Sequence, residues 1–370
     1  MLRAPQRGIS LVELLAGVTI GMIGSLIIFQ VLLNADSRRR TTAAASDVQV
    51  TGSVGLYNID RDLKQAAYNF GRGTAGYLGC EVRAYDAARV AGDPNFPGPE
   101  FRFRFAPLWL MPAAAGRSLA VEILIGGSPV MTEPLPFTLS AASTKTLQNR
   151  VGFEPSDFVV ALQNPLAPQC ELARVAAVPA ALPNVIDHGT LGSDATSGIA
   201  YARFNRGIPQ VAFGNTGVVV NLGRRPRLAS YFVQDGRLWI ENRIGETFTR
   251  TEIADGAVEL IAQYGIDTSG DRAVQPSEWT TTAPANSTGW QNLLSVRVAL
   301  LMRSGQYERP ATPGNPVTQA APEWMGGTFT MTNLDGSGGT PSDPAQDWRN
   351  YRYRVYQTTV TLRNAMWGGL

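Results

Sequence analysis

Residues 8–33 read GISLVELLAGVTIGMIGSLIIFQVLL, and this stretch decides how the chain folds. From Ile9 onward it has 25 residues and a single formal charge, Glu13. About 20 apolar residues cross a bilayer as a helix, so the stretch is long enough to span a membrane with some tilt. A secretory signal peptide would have a shorter apolar run and a small-residue cleavage site after it, whereas polar and charged residues follow here at 34–40. We therefore predict a transmembrane helix over residues 9–33.

The residues around the start of this stretch carry its most specific signal. A short leader, MLRAPQRG at 1–8, contains two arginines and ends in Gly8, Ile9 follows, and a glutamate comes five residues into the apolar run. This pattern resembles the prepilin signal of type IV pilins and type II secretion pseudopilins. The resemblance implies that a prepilin peptidase and methylase cuts after Gly8 and methylates the new N-terminus at Ile9. It also implies that Glu13 is the glutamate used in filament assembly.

The physics of a membrane helix agrees with a role for Glu13. An ionised carboxylate in hydrocarbon costs a few kcal/mol even on lenient insertion scales, so an intramembrane acid normally has a partner. The amino group of a cleaved Ile9 would lie at the depth of a neighbouring subunit's Glu13. Two alternatives stay open: Glu13 stays hydrated at the cytoplasmic face without a role, or the helix is an ordinary single-pass anchor. Three arginines at 38–40 also count against a cytoplasmic N-terminus, but the motif outweighs that count.

The helix is predicted to continue beyond the membrane over residues 34–71. No proline occurs from Ile9 to Phe70, apolar residues recur at helical spacing up to Phe70, and glycines follow. An unbroken helix of this length is a rod of roughly 90 Å. The pilin resemblance implies that its first half packs with other subunits and that its second half lays an apolar stripe against its own head.

Three small residues in the membrane stretch, Gly17, Gly21 and Ser25, are four apart. Such a series lets two helix backbones approach closely, which suits packing inside a filament. The alternative is that the glycines only loosen the helix, because each lowers helix propensity by about 1 kcal/mol.

Composition and alternation predict a β-rich head over residues 72–370. The chain has 38 Gly and 24 Pro, and only 17% of its residues are charged, which is turn-rich. Alternating strands are expected at 258–266, 294–302 and 351–364, and Asp235-Gly236 is the clearest two-residue hairpin turn. Residues 304–346 are predicted to be a long surface excursion. The fold class is therefore α+β: one long helix packed on a mostly antiparallel head.

Two further regions resemble the PilW-type minor pilins. DRDLKQAAYNFG at 60–71 leads through glycines to Cys80, and LLSVRVALLMRS at 293–304 precedes a final TTVTLRN. The resemblance implies a non-catalytic minor pilin that primes assembly of a type IV pilus near its tip. Its partners would be other minor pilins, the major pilin and the inner-membrane assembly platform. Its head would lie in the periplasm and later on the pilus at the cell surface.

Two alternative functions stay open. A minor pseudopilin of type II secretion shares the same signal, and a single-pass periplasmic receptor or adhesin belongs to a different class. Removal of residues 1–8 takes away Arg3 and Arg7, so the formal charge falls from +2 to 0. A neutral mature chain gives no global attraction to nucleic acid. Basic aromatic stretches at 101–105 and 351–356 also fit half-exposed strands, so a nucleic-acid partner is not expected.

Cys80 and Cys170 are the two cysteines of the chain. In the implied topology both lie outside the cytoplasm, where a disulfide is the most economical interpretation. A bridge closing about 90 residues would stabilise the fold by roughly 4 to 5 kcal/mol. Two buried thiols are the alternative, and a metal site is disfavoured because a single histidine, His188, adds too few ligands.

One loop has calcium-ligand spacing. In DTSGDRAVQPSE the oxygen ligands would come from Asp267, Ser269, Asp271, Ala273 and Glu278. Arg272 stands where the calcium loop needs glycine, so an acidic turn in solvent is the alternative. No other cofactor is expected.

The sequence gives no sign of an enzyme. His188 invites a Ser-His-Asp arrangement with Asp187 or Asp194, but no nucleophile elbow accompanies it, and a surface histidine in a loop is expected. The phosphate-binding, zinc-protease and dinucleotide motifs do not occur.

Overall fold

The computed structural model describes residues 11–70, 74–89, 98–114, 116–128, 133–163, 169–207, 211, 213–246, 248–310 and 315–366. The leader, Gly8 and Ile9 lie outside these residues. The helices are α1 (Leu11–Lys64), α2 (Ser287–Gln291) and α3 (Arg363–Met366). The strands are β1 (Glu81–Tyr85), β2 (Glu100–Arg104), β3 (Leu108–Met111), β4 (Ala120–Ile125), β5 (Leu135–Ser140), β6 (Thr144–Leu147), β7 (Phe158–Gln163), β8 (Gln169–Arg174), β9 (Val185–Asp187), β10 (Gly217–Gly223), β11 (Arg227–Gln234), β12 (Arg237–Asn242), β13 (Thr249–Asp255), β14 (Ala257–Ile266), β15 (Trp279–Thr280), β16 (Leu293–Arg303), β17 (Glu323–Trp324), β18 (Gly327–Thr328) and β19 (Tyr353–Thr361).

Helix α1 is a single continuous element of 54 residues, about 80 Å long. It ends at Lys64, and not at Phe70 as the apolar spacing predicts. Residues 65–70 form turns because Ala67 (φ 60°) and Asn69 (φ 66°) adopt left-handed conformations. The backbone N–H of Ala67 donates to Leu124 O at 3.0 Å, so the end of β4 takes up a group that a longer helix would have used.

The head contains three larger sheets among the described residues. Their strand orders are β2-β1-β8-β7-β10-β5-β6-β9, β13-β12-β11-β4-β3 and β15-β14-β16-β19, and β17 and β18 form a small separate hairpin. The described strand pairs are antiparallel except β1 with β8. The α+β prediction is confirmed. One core cluster joins the end of α1 to side chains of all three larger sheets.

The hairpin predicted at Asp235-Gly236 is confirmed. β11 and β12 pair from Gln234 with Arg237 onward, and both turn residues have positive φ, 52° and 74°. A type I′ turn needs this conformation at both central positions, which Asp-Gly supplies at low cost.

Strand β14 follows the predicted alternation with one correction. Leu260, Ala262 and Tyr264 are buried as expected, but Val258 is 37% exposed and Ala257 is buried in its place. The register against β16 shifts between Ala257 and Glu259, which marks a β-bulge. A bulge moves one side chain to the other face, and sequence alternation does not show where it occurs.

The segment at 304–346 does more than run over the surface. Phe329 is buried and packs with Ala299 and Leu301 on the second face of β16, and Trp324 lies against the same cluster. Since β16 is buried on both faces, its sequence is apolar almost throughout. The excursion therefore covers the outer side of the sheet β15-β14-β16-β19.

Candidate functional site: the exposed helix and its attachment to the head

The first part of α1, Leu11–Leu33, stands clear of the head. It is the one helix in the described part of the chain that is long and apolar enough to cross a membrane, and none of it is buried in the molecule. Its large apolar side chains are 53–76% exposed on every side of the helix. A water-soluble surface helix would have an apolar stripe opposite a polar face. This segment instead suits an environment that is apolar all round.

Glu13 lies in the first turn of α1, and its side chain is exposed. A carboxylate at this end of a helix interacts favourably with the helix dipole. The predicted partner, the amino group of Ile9, lies outside the described residues, as does Gly8. The roles given to Gly8, Ile9 and Glu13 stay predictions.

The predicted series of small residues is open to a close approach. A Cβ atom added to Gly17 or Gly21 would meet no other atom within 4 Å. The Ser25 hydroxyl donates to Gly21 O at 2.9 Å, so its polar atom is satisfied within the helix. Within the described part of the chain, Gly17 and Gly21 therefore offer a shallow face that no other segment covers, and Ser25 continues it one turn further.

Two glycines further along α1 seat the helix on the head. A Cβ at Gly52 would overlap the ring of Tyr356, and one at Gly55 would lie 2.9 Å from Leu238 Cδ2 and 3.1 Å from Leu300 Cδ2. The helix backbone thus contacts β12, β16 and β19 directly. Sequence analysis missed this role, although the two glycines share a helix face with Ile59 and Leu63 and that spacing was a usable signal.

Asp62, in the last turn of α1, is fully buried. Its carboxylate accepts hydrogen bonds from Tyr231 Oη at 2.7 Å and Arg227 Nη2 at 2.9 Å, both on β11. Arg61 pairs with the second carboxylate oxygen at 3.1 Å. Burial, and then the Asp62 charge, raise the pKa of Tyr231 above its usual range. Asp62 therefore fastens the helix to the central strand of the second sheet.

The end of α1 is fastened a second time from the C-terminus of the chain. Asn364 Nδ2 donates to Lys64 O at 3.3 Å and to Ala66 O at 3.2 Å. The last carbonyl groups of a helix have no partner within it, so this contact acts as a cap. Together with Tyr356 Oη, which donates to Val48 O at 3.1 Å, it holds the helix along β19.

The predicted disulfide is confirmed: Cys80 and Cys170 are bonded, and their Cα atoms are 6.1 Å apart. Both cysteines are buried. They lie beside the parallel pair of strands, where Val82 of β1 pairs with Cys170 of β8. The bridge thus joins the residue that precedes β1 to β8, the parallel neighbour of β1 in the largest sheet.

The acidic loop after β14 folds around its own carboxylates. Glu278 is 7% exposed and accepts hydrogen bonds from the backbone N–H groups of Thr268, Ser269 and Gln275 at 2.8–2.9 Å. These bonds, with the Gln275 amide as the largest contributor, lower the pKa of Glu278 to about 2. The acidic-turn alternative is therefore wrong in one respect, because this carboxylate is not solvated.

The remaining proposed calcium ligands are used in the same way. Asp267 accepts from the backbone N–H groups of Gly270 and Arg272, and Asp271 accepts from that of Ala273. Arg272 adopts φ 62°, so it makes the turn that glycine usually makes. Within the described residues no group of three or more His, Cys, Asp or Glu side chains is placed to hold a metal ion.

His188 is 8% exposed, so the expectation of a surface histidine is wrong. Its Nε2 lies 3.1 Å from Nζ of the buried Lys145. Burial, followed by this lysine, lowers the pKa of His188 to about 3, and burial lowers that of Lys145 to about 8. A neutral His188 ring can therefore accept a hydrogen bond from the Lys145 ammonium group through Nε2. Asp187 accepts a hydrogen bond from Gly189 N, and Asp194 accepts one from the Ser156 hydroxyl. Neither carboxylate therefore completes the Ser-His-Asp arrangement considered from the sequence.

The arginines of the two basic stretches have partners within the subunit, and that of Arg354 is Gln49 of α1. Arg102 pairs with Glu81 at 2.9 Å, and Arg104 donates to Gly79 O. Arg352 forms a two-bond contact with Glu308.

Comparison with known proteins finds a similarity in the C-terminal part of the chain. Residues 230–364, from β11 to α3, match the family model described as Type IV Pilus-assembly protein W. No curated protein matches the chain. A type IV-like pilin from Thermus thermophilus is a structural neighbour with 14% sequence identity and a TM-score of 0.21, over 57% of this chain and 87% of that chain. That score is too low to support a fold assignment.

The matched region contains the strands that seat α1. Tyr231, Leu238, Leu300 and Tyr356, which contact the helix, all lie within it. The exposed apolar helix, the β-rich head and this sequence match agree with one another. The C-terminal part of the chain, residues 230–364, is therefore similar to the family of type IV pilus-assembly protein W.

Proposed function

We propose that this protein is a minor pilin of a type IV pilus, a non-catalytic subunit that primes filament assembly and lies near the tip. The observation that carries the proposal is the helix segment Leu11–Leu33, whose apolar side chains are exposed on all sides and which contains one charge, Glu13. Lipid first and neighbouring helices later would provide the apolar surroundings that this segment needs. The match of the head to a family of pilus-assembly proteins supports the same function.

Glu13 would direct the subunit into the filament. After cleavage behind Gly8, the amino group of Ile9 would carry a positive charge near the level of a neighbour's Glu13. Pairing of the two charges would relieve the cost of each in an apolar environment. The open face of Gly17, Gly21 and Ser25 would let the neighbouring helix backbone approach.

The attachment of the head suits a subunit that is moved by its helix. Asp62, with Tyr231 and Arg227, joins the helix to one sheet, and Gly52 lets it contact Tyr356 of another. Force applied to the helix would therefore pass to the head through buried contacts rather than through a linker.

The proposed topology places the helix in the inner membrane and the head in the periplasm until the subunit joins the pilus at the cell surface. The partners would be a prepilin peptidase and methylase, the assembly platform, other minor pilins and the major pilin. A disulfide between Cys80 and Cys170 is consistent with an oxidising compartment.

Intact-mass measurement of the full chain from membranes tests the proposal. We expect a mature chain that lacks residues 1–8 and carries one added methyl group. Cells without the prepilin peptidase provide the control, in which the chain should keep Met1 to Gly8. A chain that keeps its leader in peptidase-containing cells would refute processing as a pilin and favour a membrane-anchored receptor or adhesin.

A deletion strain separates the pilus from type II secretion. We expect loss of this protein to abolish twitching motility and to leave exoprotein secretion intact. Loss of secretion with normal twitching would instead assign the protein to the secretion system as a pseudopilin.

A further inference from the structure

Strand β19 (Tyr353–Thr361) lies at the edge of its sheet and, among the described strands of that sheet, pairs with β16 alone. Leu362 N donates to Leu294 O, and Ser304 N donates to Arg352 O. Because backbone groups alternate along an antiparallel strand, every second residue from 353 onward points its N–H and C=O away from β16. We call these residues the open edge: Tyr353, Val355, Gln357, Thr359 and Thr361.

The open edge has unused hydrogen-bonding capacity. Within the described residues, no backbone hydrogen bond joins its N–H and C=O groups to another segment. It extends over nine residues, or about 30 Å at the usual rise of a strand. Free groups in such a row are a template for another strand.

Natural proteins protect edge strands by shortness, charge, proline or a bulge. The other edge strands of the three larger sheets show these features. β2, β3, β9 and β15 have two to five residues, and β13 has three charged residues and a register shift. β19 contains one charge, Arg354, no proline and an unbroken register over its whole length. It is the unprotected edge of the described head.

The surroundings of the open edge form a slot for one added strand. On one side lies the β17–β18 hairpin, whose Met325 is 48% exposed and donates its backbone N–H to Gln357 Oε1 at 2.8 Å. On the other side lies α1, where Gln49 accepts from Arg354 Nη1 at 3.2 Å. An incoming strand would therefore place alternate side chains beside apolar Met325 and beside polar Gln49.

The direction of β19 excludes a symmetric pair of two copies. The strand runs alongside α1 in the same direction, from Arg354 near Gln49 to Asn364 near Ala66. Antiparallel pairing of two copies would therefore point their membrane helices in opposite directions. In a parallel pair related by a two-fold axis, each outward-facing residue of one copy would lie opposite the same residue of the other copy. Parallel strands form hydrogen bonds only when the outward-facing residues of the two strands are offset by one position, so this arrangement does not pair.

We infer that the open edge of β19 binds an extended segment of a different pilin-like subunit by strand addition. The identity of the partner class rests on the proposed function, under which neighbouring pilin-like subunits are held in the same membrane or filament with their helices parallel to α1. Main-chain hydrogen bonds would give affinity, and the side chains beside Met325 and Gln49 would give selectivity.

Residue-resolved hydrogen exchange on the full chain tests the backbone contact. The purified chain in detergent is compared with the chain in assembled complexes from the same cells. We expect amides of the open edge to exchange at least tenfold more slowly in the assembled state. The inward amides of Tyr356 and Thr358, which already bond β16, serve as internal controls and should change little. Equal exchange of the open-edge amides in both states would overturn the inference.

Photo-crosslinking identifies the partner. A benzoylphenylalanine at Thr361 of the full chain, activated in intact cells, should give a product with a different pilin-like chain, identified by peptide sequencing. A product with a second copy of this chain, a product with a protein of another class, or no product would each contradict strand addition from a neighbouring subunit.

A matched pair of variants tests the hydrogen bonds themselves. Thr359→Pro removes one outward N–H without removing a bond to β16, and we expect it to lower crosslinking about tenfold. Thr359→Val keeps the N–H and should crosslink as the parent does. If Thr359→Pro loses the Cys80–Cys170 bond or fails to fold, Gln357→Pro provides the same removal at another outward position. Unchanged crosslinking in a folded proline variant would refute the inference.

The failure of this inference is distinguishable from failure of the proposed function. An unprocessed leader in the intact-mass measurement would refute the function. Unprotected open-edge amides in a chain that is processed and incorporated would refute only the strand addition.

Discussion

Replacement of Asp62 by asparagine tests how the helix is fastened to the head. The carboxylate is fully buried and accepts bonds from Tyr231 Oη at 2.7 Å and Arg227 Nη2 at 2.9 Å. A hydrogen bond to a charged group contributes about 1.5–3 kcal/mol. The Arg227 side chain is 37% exposed, so water can replace part of the interaction that it loses with the Asp62 carboxylate. We therefore expect Asp62→Asn to lower the free energy of unfolding by about 2 kcal/mol.

Urea denaturation of the detergent-solubilised chain, followed by tryptophan fluorescence, measures this loss. Asp60→Asn is the matched control, because Asp60 is in the same turn but pairs with Lys64, whose side chain is 63% exposed. That control should change stability by less than about 0.5 kcal/mol. A double-mutant cycle that combines Asp62→Asn with Tyr231→Phe should give an interaction free energy of about 1 kcal/mol between the two side chains. If Asp62→Asn costs no more than Asp60→Asn, the carboxylate does not fasten the helix.

Three further predictions concern the contact of α1 with the head and the head itself. Gly55→Leu should destabilise the chain by about 1–3 kcal/mol because its Cβ meets two leucine side chains, whereas Ser53→Leu on the exposed face should have little effect in the same denaturation assay. Joint replacement of Cys80 and Cys170 by alanine should cost about 4–5 kcal/mol, measured against the oxidised parent, and an unchanged urea midpoint would argue against a structural role. The folded-state pKa of Glu278 is about 2, below its ordinary value of 4.5. The stability that the ionised Glu278 contributes to the folded state is therefore fully present above pH 4.5 and is lost as the pH falls toward 2. Glu278→Gln should remove that part of the pH dependence when the free energy of unfolding is measured across acid pH.

Patterns that depend on neighbouring residues were predicted well from the sequence. The absence of proline and the apolar run predicted α1, and Asp235-Gly236 predicted the β11–β12 hairpin, because both depend on local chain geometry. The disulfide was predictable because the implied topology left two cysteines in an oxidising compartment.

Features that depend on distant contacts were missed. Asp62 falls in a charged part of the helix sequence, which gives no sign that Tyr231 and Arg227, more than 160 residues later, contact its buried carboxylate. His188 was expected at the surface because its segment looks like a loop, yet it is buried beside Lys145, which lies more than 40 residues earlier in the chain. Sequence periodicity predicts which side chains share a face of a helix or strand. It does not predict which distant residues pack on that face.

The central claim is that the exposed segment of α1 carries the protein into a filament through Glu13. The most direct measurement is the amount of the processed chain recovered in sheared pili, relative to the amount in membranes, for the parent and for Glu13→Ala. We expect Glu13→Ala to be processed and inserted normally, since it removes a charge from the membrane segment, but to be depleted from pili at least tenfold. Recovery of Glu13→Ala in pili at the parent level would contradict the account.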